Sequence, residues 1–383
     1  MIPHIGDIFP FVIRHGLAVL ANLAVLFLFC GAASAQNFVV REFRIPIKSA
    51  GSKGLEALLI RPNDLGPHPL ALITHGTPRD PNDRAGLTAM SFEPQAYEFA
   101  RRGWTAVVVL RRGFGDSGGG YNEDAQSCAH PDYLGATNES IEDLRDAIAY
   151  LSRLSDVDPS RIIGVGVSTG GLAMVGLTAS PPLGFIAGIN FAGGRGSQAP
   201  DQVCDPDALV GTFAHYGKHS RTPMLWIYSE NDHFFSPHLA HRFYNAFTEQ
   251  GGMAKLIMAP GFRRDGHGLF SLGGAPVWAP MVDEFLKAQN LELRDSLLPL
   301  PAPPPINPPD GFPERSLADF RNYLILPSHK ALAISERHLY GYSSGRRTEK
   351  DAEVKALDNC KEVAPKGDRC HIAMIDDRTL AVR

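Results

Sequence analysis

From residue 38 onward, short apolar runs alternate with stretches whose apolar residues recur every three or four positions. "FVVREFRIPI" and "LEALLIRP" read as an opening antiparallel pair of strands. "LALITHG" and "TAVVVL" read as buried strands on either side of an amphipathic helix over 92–102. Ile141, Leu144, Ile148 and Leu151 share one face of a helix, followed by the strand "RIIGVGV", a helix from Thr169 and the strand "FIAGINF". "PMLWIY" and "AKLIMA" supply two more strands, with helices near 239–249 and 277–287. Strands that are apolar throughout must be covered on both faces, so the pattern predicts an α/β fold: a mostly parallel sheet with helices on each side.

The pattern breaks at both ends. Between Pro299 and Pro313 stand eight prolines with little else that is apolar, which predicts an extended spacer over 299–314. Beyond it, "KALAIS", a helical stretch over 349–360 and "CHIAMID" predict a small α+β module over 315–383, built strand, helix, strand. The main domain then occupies 36–298. At the N-terminus, Arg14 and His15 precede "GLAVLANLAVLFLFCGAA", and Ala33-Ser34-Ala35 stands directly before Gln36. This is the layout of a cleaved signal peptide over 1–35 and predicts a periplasmic or secreted protein. An uncleaved membrane anchor is the alternative, because the apolar run approaches the length of a span.

Losing the leader removes Cys30 and leaves Cys128, Cys204, Cys360 and Cys370. An even number in an exported chain favours disulfides; their positions suggest Cys128 with Cys204 and Cys360 with Cys370, although three connectivities are open. The 383 residues, 44% hydrophobic and 20% charged, suffice for a large core. A net charge of -4 and the lack of a Lys/Arg stripe among aromatics argue against nucleic acid as a partner. No cysteine or histidine group has metal-ligand spacing, so a metal site is disfavoured.

Ligands of such sheets sit beyond the carboxyl ends of the strands. There, Gly166-Val167-Ser168-Thr169-Gly170 fits G-x-S-x-G at a strand-to-helix junction, where small residues allow a sharp turn and the serine hydroxyl projects. A hydroxyl becomes a nucleophile only beside a base that is itself oriented by an acid. Asp232 follows "PMLWIYSE" and His267 lies in "DGHG" after "AKLIMA", which gives the order Ser, Asp, His. Glu230 and Asp265 are rival acids; Asp232 could instead cap the helix that begins near Ser236, and His267 could be a solvated loop residue. Oxyanion donors are assigned to the backbone N–H groups of Thr77, in "THGTP", and Thr169, with His75 bracing the loop.

"HGTP", "RRGFGDSGGG", "SIEDLRDAIAYLSRLSDVDPSRIIGVGVSTGG", "IYSENDHF" and "DGHGLF" together resemble α/β-hydrolases of the dienelactone hydrolase and prolyl-oligopeptidase-like group, over about 39–289. The resemblance implies an α/β-hydrolase fold with Ser168 as nucleophile, Asp232 as acid and His267 as base, a small-molecule ester as substrate and no cofactor. Two departures qualify it. Dienelactone hydrolases proper use a cysteine nucleophile where this chain has Ser168, and only about forty residues stand where the peptidases carry a propeller. An esterase is therefore expected ahead of a peptidase on short peptides or an inactive scaffold. The tail is similar to small C-terminal modules of exported bacterial proteins and, in the scaffold reading, holds an envelope partner. The loops after Val109 and Phe191 are expected to wall the pocket, tied through Cys128 and Cys204; staples remote from substrate are the alternative.

Overall fold

The strands β1 (Phe38–Ile45), β2 (Leu55–Pro62), β3 (His68–Thr74) and β4 (Thr105–Val109) open the chain, with helix α1 (Glu93–Ala100) between the last two. They belong to a computed structural model that describes residues 37–380. The leader expected over 1–35, with Cys30, lies outside the described residues. Next come α2 (Tyr133–Leu151), β5 (Val157–Val167), α3 (Thr169–Ala179) and β6 (Phe185–Phe191). The short strands β7 (Ser197–Ala199) and β8 (Gln202–Val203) lead into α4 (Pro206–Gly217), β9 (Met224–Ser229), α5 (Pro237–Glu249), β10 (Ala254–Ala259) and α6 (Ala275–Ala288).

Eight strands form one sheet in the order β1-β2-β4-β3-β5-β6-β9-β10. Only β2 runs against its neighbours; from β4 to β10 every pairing is parallel. Successive residues of a strand point to opposite faces. Leu58 and Ile60 therefore pack with Phe99 of α1 and with Trp278 and Phe285 of α6, whereas Ala57 and Leu59 share the other face with residues of α2 to α5. The antiparallel opening pair and the covered parallel sheet agree with the expected α/β class.

After β3 the chain crosses to β4 on one side, and β5 lies on the other. Connections that leave in opposite directions open a crevice beyond the carboxyl ends of the two central strands. Thr74 of β3 lies level with Gly166 of β5, so the loops carrying Thr77 and Ser168 emerge side by side at that crevice.

Residues 299–313 contain no helix or strand. After a short 3-10 turn come α7 (Leu317–Leu324), β11 (Ala331–Ser335), β12 (Tyr340–Ser343), α8 (Glu349–Val363), β13 (Cys370–Ile375) and β14 (Arg378–Thr379). These four strands make an antiparallel sheet in the order β12-β11-β13-β14. Leu332 and Ile334 of β11 pack with Phe320 and Tyr323 of α7, and the small Ala331 and Ala333 admit Ala352 and Ala356 of α8 on the other face. The expected strand-helix-strand is present, extended by two short strands and α7. A disulfide joins Cys360, in the last turn of α8, to Cys370 at the start of β13.

The module packs on β2 and on loops of the large sheet. Ser91 Oγ donates to Gly345 O at 3.1 Å, Arg347 Nη2 donates to Glu56 Oε2 at 2.8 Å and Leu87 O at 2.7 Å, and Arg264 Nη1 donates to Glu362 O at 3.0 Å. Among the described residues no helix is long and apolar enough to cross a membrane.

Candidate active site

Ser168 sits between β5 and α3 with φ 56° and ψ -122°, a left-handed conformation that costs a residue with a side chain about 1–3 kcal/mol. The turn is that sharp because its flanks touch. A Cβ on Gly166 would stand 2.1 Å from Gly170 O, and one on Gly170 would stand 2.4 Å from His75 O. Only hydrogen fits at either position. Although Ser168 is the N-cap residue of α3, its hydroxyl makes no capping bond and borders the adjoining cavity. Thr169 opens the helix, where N–H groups lack intrahelical acceptors and the helix dipole is positive.

The loop after β3 approaches the same spot: Thr77 Oγ1 and Thr169 Oγ1 are hydrogen-bonded at 3.0 Å. His75, which precedes it, is fully buried. The backbone N–H of Arg111 donates to its Nε2 at 3.0 Å, so the proton is on Nδ1, which donates to Gly76 O at 2.8 Å. Burial, with Arg111 adjacent, lowers the His75 pKa to about 3. It is a neutral brace with both nitrogens engaged.

Asp232 follows β9 and is 2% exposed. Its Oδ1 accepts from the backbone N–H groups of Phe234 at 2.7 Å and Phe235 at 2.9 Å, leaving Oδ2 to face His267 Nδ1 at 3.1 Å. A carboxylate can only accept, so Nδ1 carries the proton and Nε2 is the nitrogen left for other chemistry. The rival acids are placed elsewhere. Glu230 is exposed, and Asp265 Oδ1 accepts from the backbone N–H groups of His267 at 2.9 Å and His233 at 3.1 Å. The alternative in which Asp232 caps α5 does not hold: Ser236 caps that helix. Among the described residues no hydrogen bond joins Ser168 Oγ to the imidazole.

A cavity of about 280 Å³ opens beside Ser168, Thr77 and Thr169, with Phe234 and Phe235 on one side. Its remaining wall includes Arg79, Arg84, Tyr121, Arg195 and both Cys128 and Cys204, which form a disulfide. The loops after β4 and β6 therefore meet at the cavity, as the wall reading expects.

A buried ion cluster that reaches this wall through Glu123 and Arg195 has no counterpart in the sequence expectations. Arg111 is fully buried: it pairs with Glu123 through Nε and Nη2, and it donates to Thr74 Oγ1 at 2.7 Å, His75 O at 2.8 Å and Thr169 Oγ1 at 3.2 Å. Arg195 donates to Glu123 O at 2.8 Å and Glu123 Oε2 at 3.1 Å. Burial alone would raise the Glu123 pKa, but the two arginines outweigh it and bring the group down to about 2. The buried Nε atoms of Arg84 and Arg195 have no hydrogen-bond partner among the described residues. Among the described residues no carboxylate pairs with Arg84.

The sharp strand-serine-helix turn at the switch point of a mostly parallel eight-stranded sheet is that of an α/β-hydrolase fold. No protein-family model and no curated protein matches the chain. Solved structures similar to it include a Klebsiella pneumoniae protein assigned as a dienelactone hydrolase, with 15% identity and a TM-score of 0.47 over 65% of this chain and 99% of that one. Thermogutta terrifontis esterase 2 phosphorylated by paraoxon is similar at 19% identity and a TM-score of 0.47, over 68% of this chain and 97% of its own. Pyrococcus horikoshii acylaminoacyl peptidase is similar at 18% identity and a TM-score of 0.46, over 69% of this chain and 44% of its own.

Proposed function

We propose that the protein is an exported serine hydrolase of carboxylic esters. Ser168 Oγ attacks the ester carbonyl while His267 Nε2 takes its proton. The imidazolium then returns that proton to the departing alcohol. Asp232 keeps the proton of the neutral ring on Nδ1 and offsets the positive charge when it forms. The backbone N–H groups of Thr77 and Thr169 receive the developing oxyanion, helped by the positive end of α3. Water attacks the acyl-enzyme by the same relay run in reverse, and the scheme calls on no cofactor.

One observation carries the reading: a buried aspartate is hydrogen-bonded to a histidine at 3.1 Å, and that histidine stacks on Phe234, which lines the same cavity as a serine held at φ 56° on a helix N-terminus. It requires the bond between Ser168 and His267 to form as substrate binds. The two disulfides support an oxidising compartment outside the cytosol. Arg84, which lines the cavity and pairs with no carboxylate among the described residues, supports an ester whose acyl or alcohol part bears an anionic group.

Stopped-flow hydrolysis of p-nitrophenyl butyrate tests the reading. A burst of p-nitrophenol equal to the enzyme, absent in Ser168→Ala, is expected, together with faster turnover of the p-nitrophenyl hemisuccinate. Turnover that survives Ser168→Ala contradicts the scheme, and faster cleavage of aminoacyl anilides than of esters would make the protein a peptidase.

A further inference from the structure

Phe234 carries two planar groups at once. The imidazole of His267 lies against its ring with centroids 3.9 Å apart and planes within 10° of parallel. The guanidinium carbon of Arg79 lies 3.4 Å from the same ring centre. Two planar groups that close to one centroid would collide on a single face, so they take opposite faces and Phe234 is sandwiched between them.

Both ends of the stack are tied. His267 is held through Nδ1 by Asp232, whose other oxygen accepts from the backbone N–H of Phe234 itself. Arg79 Nη2 donates to Ser197 Oγ at 2.8 Å and to His233 O at 3.0 Å, and its Nε also reaches Ser197 Oγ, at 3.2 Å. Arg79 stands two residues beyond Thr77, Ser197 opens β7 in the cavity wall, and His233 follows Asp232. One stack thus spans the oxyanion loop, the cavity wall, the acid loop and the base.

A ring held by a single hydrogen bond can still swing about it, and a displacement of about 1 Å at a reacting group can cost roughly a hundredfold in rate. A plate against the ring's face removes that freedom. We infer that Phe234 and Arg79 are positioning residues that hold the His267 imidazole in plane and in register with the oxyanion loop. The inference rests on the serine hydrolase reading above.

The test is steady-state kinetics on p-nitrophenyl butyrate with full-length Phe234→Leu, Phe234→Tyr and Arg79→Gln, beside the rate of fluorophosphonate inactivation. Phe234→Leu is expected to lose about 10- to 100-fold in kcat with KM within about threefold, and inactivation should slow in parallel. Arg79→Gln should lose about tenfold, and Phe234→Tyr, which keeps the flat face, should stay within about threefold of wild type. A Phe234→Leu enzyme with unchanged kcat, or with a loss confined to KM, overturns the inference, as does an equal loss in Phe234→Tyr. Turnover that persists in Ser168→Ala would instead remove the hydrolase reading beneath it.

Discussion

Replacing Glu123 by Gln removes the anion that two buried arginines share. Arg111 is fully buried and Arg195 is 4% exposed, so neither guanidinium can turn to solvent when its partner is neutralised. The size of the effect follows from the acid itself. Its pKa falls from the ordinary 4.5 to about 2, and holding a carboxyl that far down corresponds to about 3 kcal/mol of folding free energy. Breaking a buried ion pair from one side costs about 3–5 kcal/mol, the same range. Because the folded-state pKa is depressed, this contribution is present above about pH 4.5 and is lost as the pH falls through about 2. Urea unfolding near pH 7 should place Glu123→Gln about 3 kcal/mol below wild type, and an acid titration should show the wild type losing this excess while the variant does not. Arg111 also donates to Thr169 Oγ1 and His75 O, so turnover should fall with stability. A loss under about 1 kcal/mol, or identical acid limbs, would refute the reasoning.

Two further perturbations probe the acid and the cavity wall. Asp232→Asn keeps the shape but lets the imidazole take the wrong tautomer, so kcat should fall by about ten-thousand-fold while the fold persists by circular dichroism; a loss under tenfold would remove Asp232 from the relay. Cys128→Ser paired with Cys204→Ser opens a link across 76 residues and should cost about 2–4 kcal/mol in urea unfolding, with a raised KM for the ester because the link borders the cavity. An unchanged KM would detach this wall from substrate binding.

Most of the large sheet is legible in the sequence because its strands are buried on both faces and read as unbroken apolar runs, such as "TAVVVL" and "FIAGINF". The elbow is legible for a different reason. Gly166 and Gly170 stand where any side chain would strike backbone, so their spacing reports the geometry directly. Helix α4 is harder, since Thr212 and Gly217 break the apolar pattern of its buried face; yet Asp205, which caps the N–H of Ala208, and Pro206 in the first turn are start signals present in the sequence. Strand β12, "YGYS", offers no apolar run at all. The Arg111, Glu123 and Arg195 cluster is invisible for a stronger reason. Charged residues in Gly-rich loops read as solvated, and nothing local links positions 12 and 72 residues apart until the fold buries them together. The Arg79, Phe234 and His267 stack joins three separate loops in the same way.

Whether Ser168 is an activated nucleophile is best measured by intact-mass and peptide mapping after treatment of the full-length protein with a fluorophosphonate. The account predicts one adduct, on the peptide carrying Ser168, formed rapidly in the wild type and at least about a hundredfold more slowly in His267→Ala. An adduct on another residue, no adduct, or equal labelling with and without the histidine would contradict it.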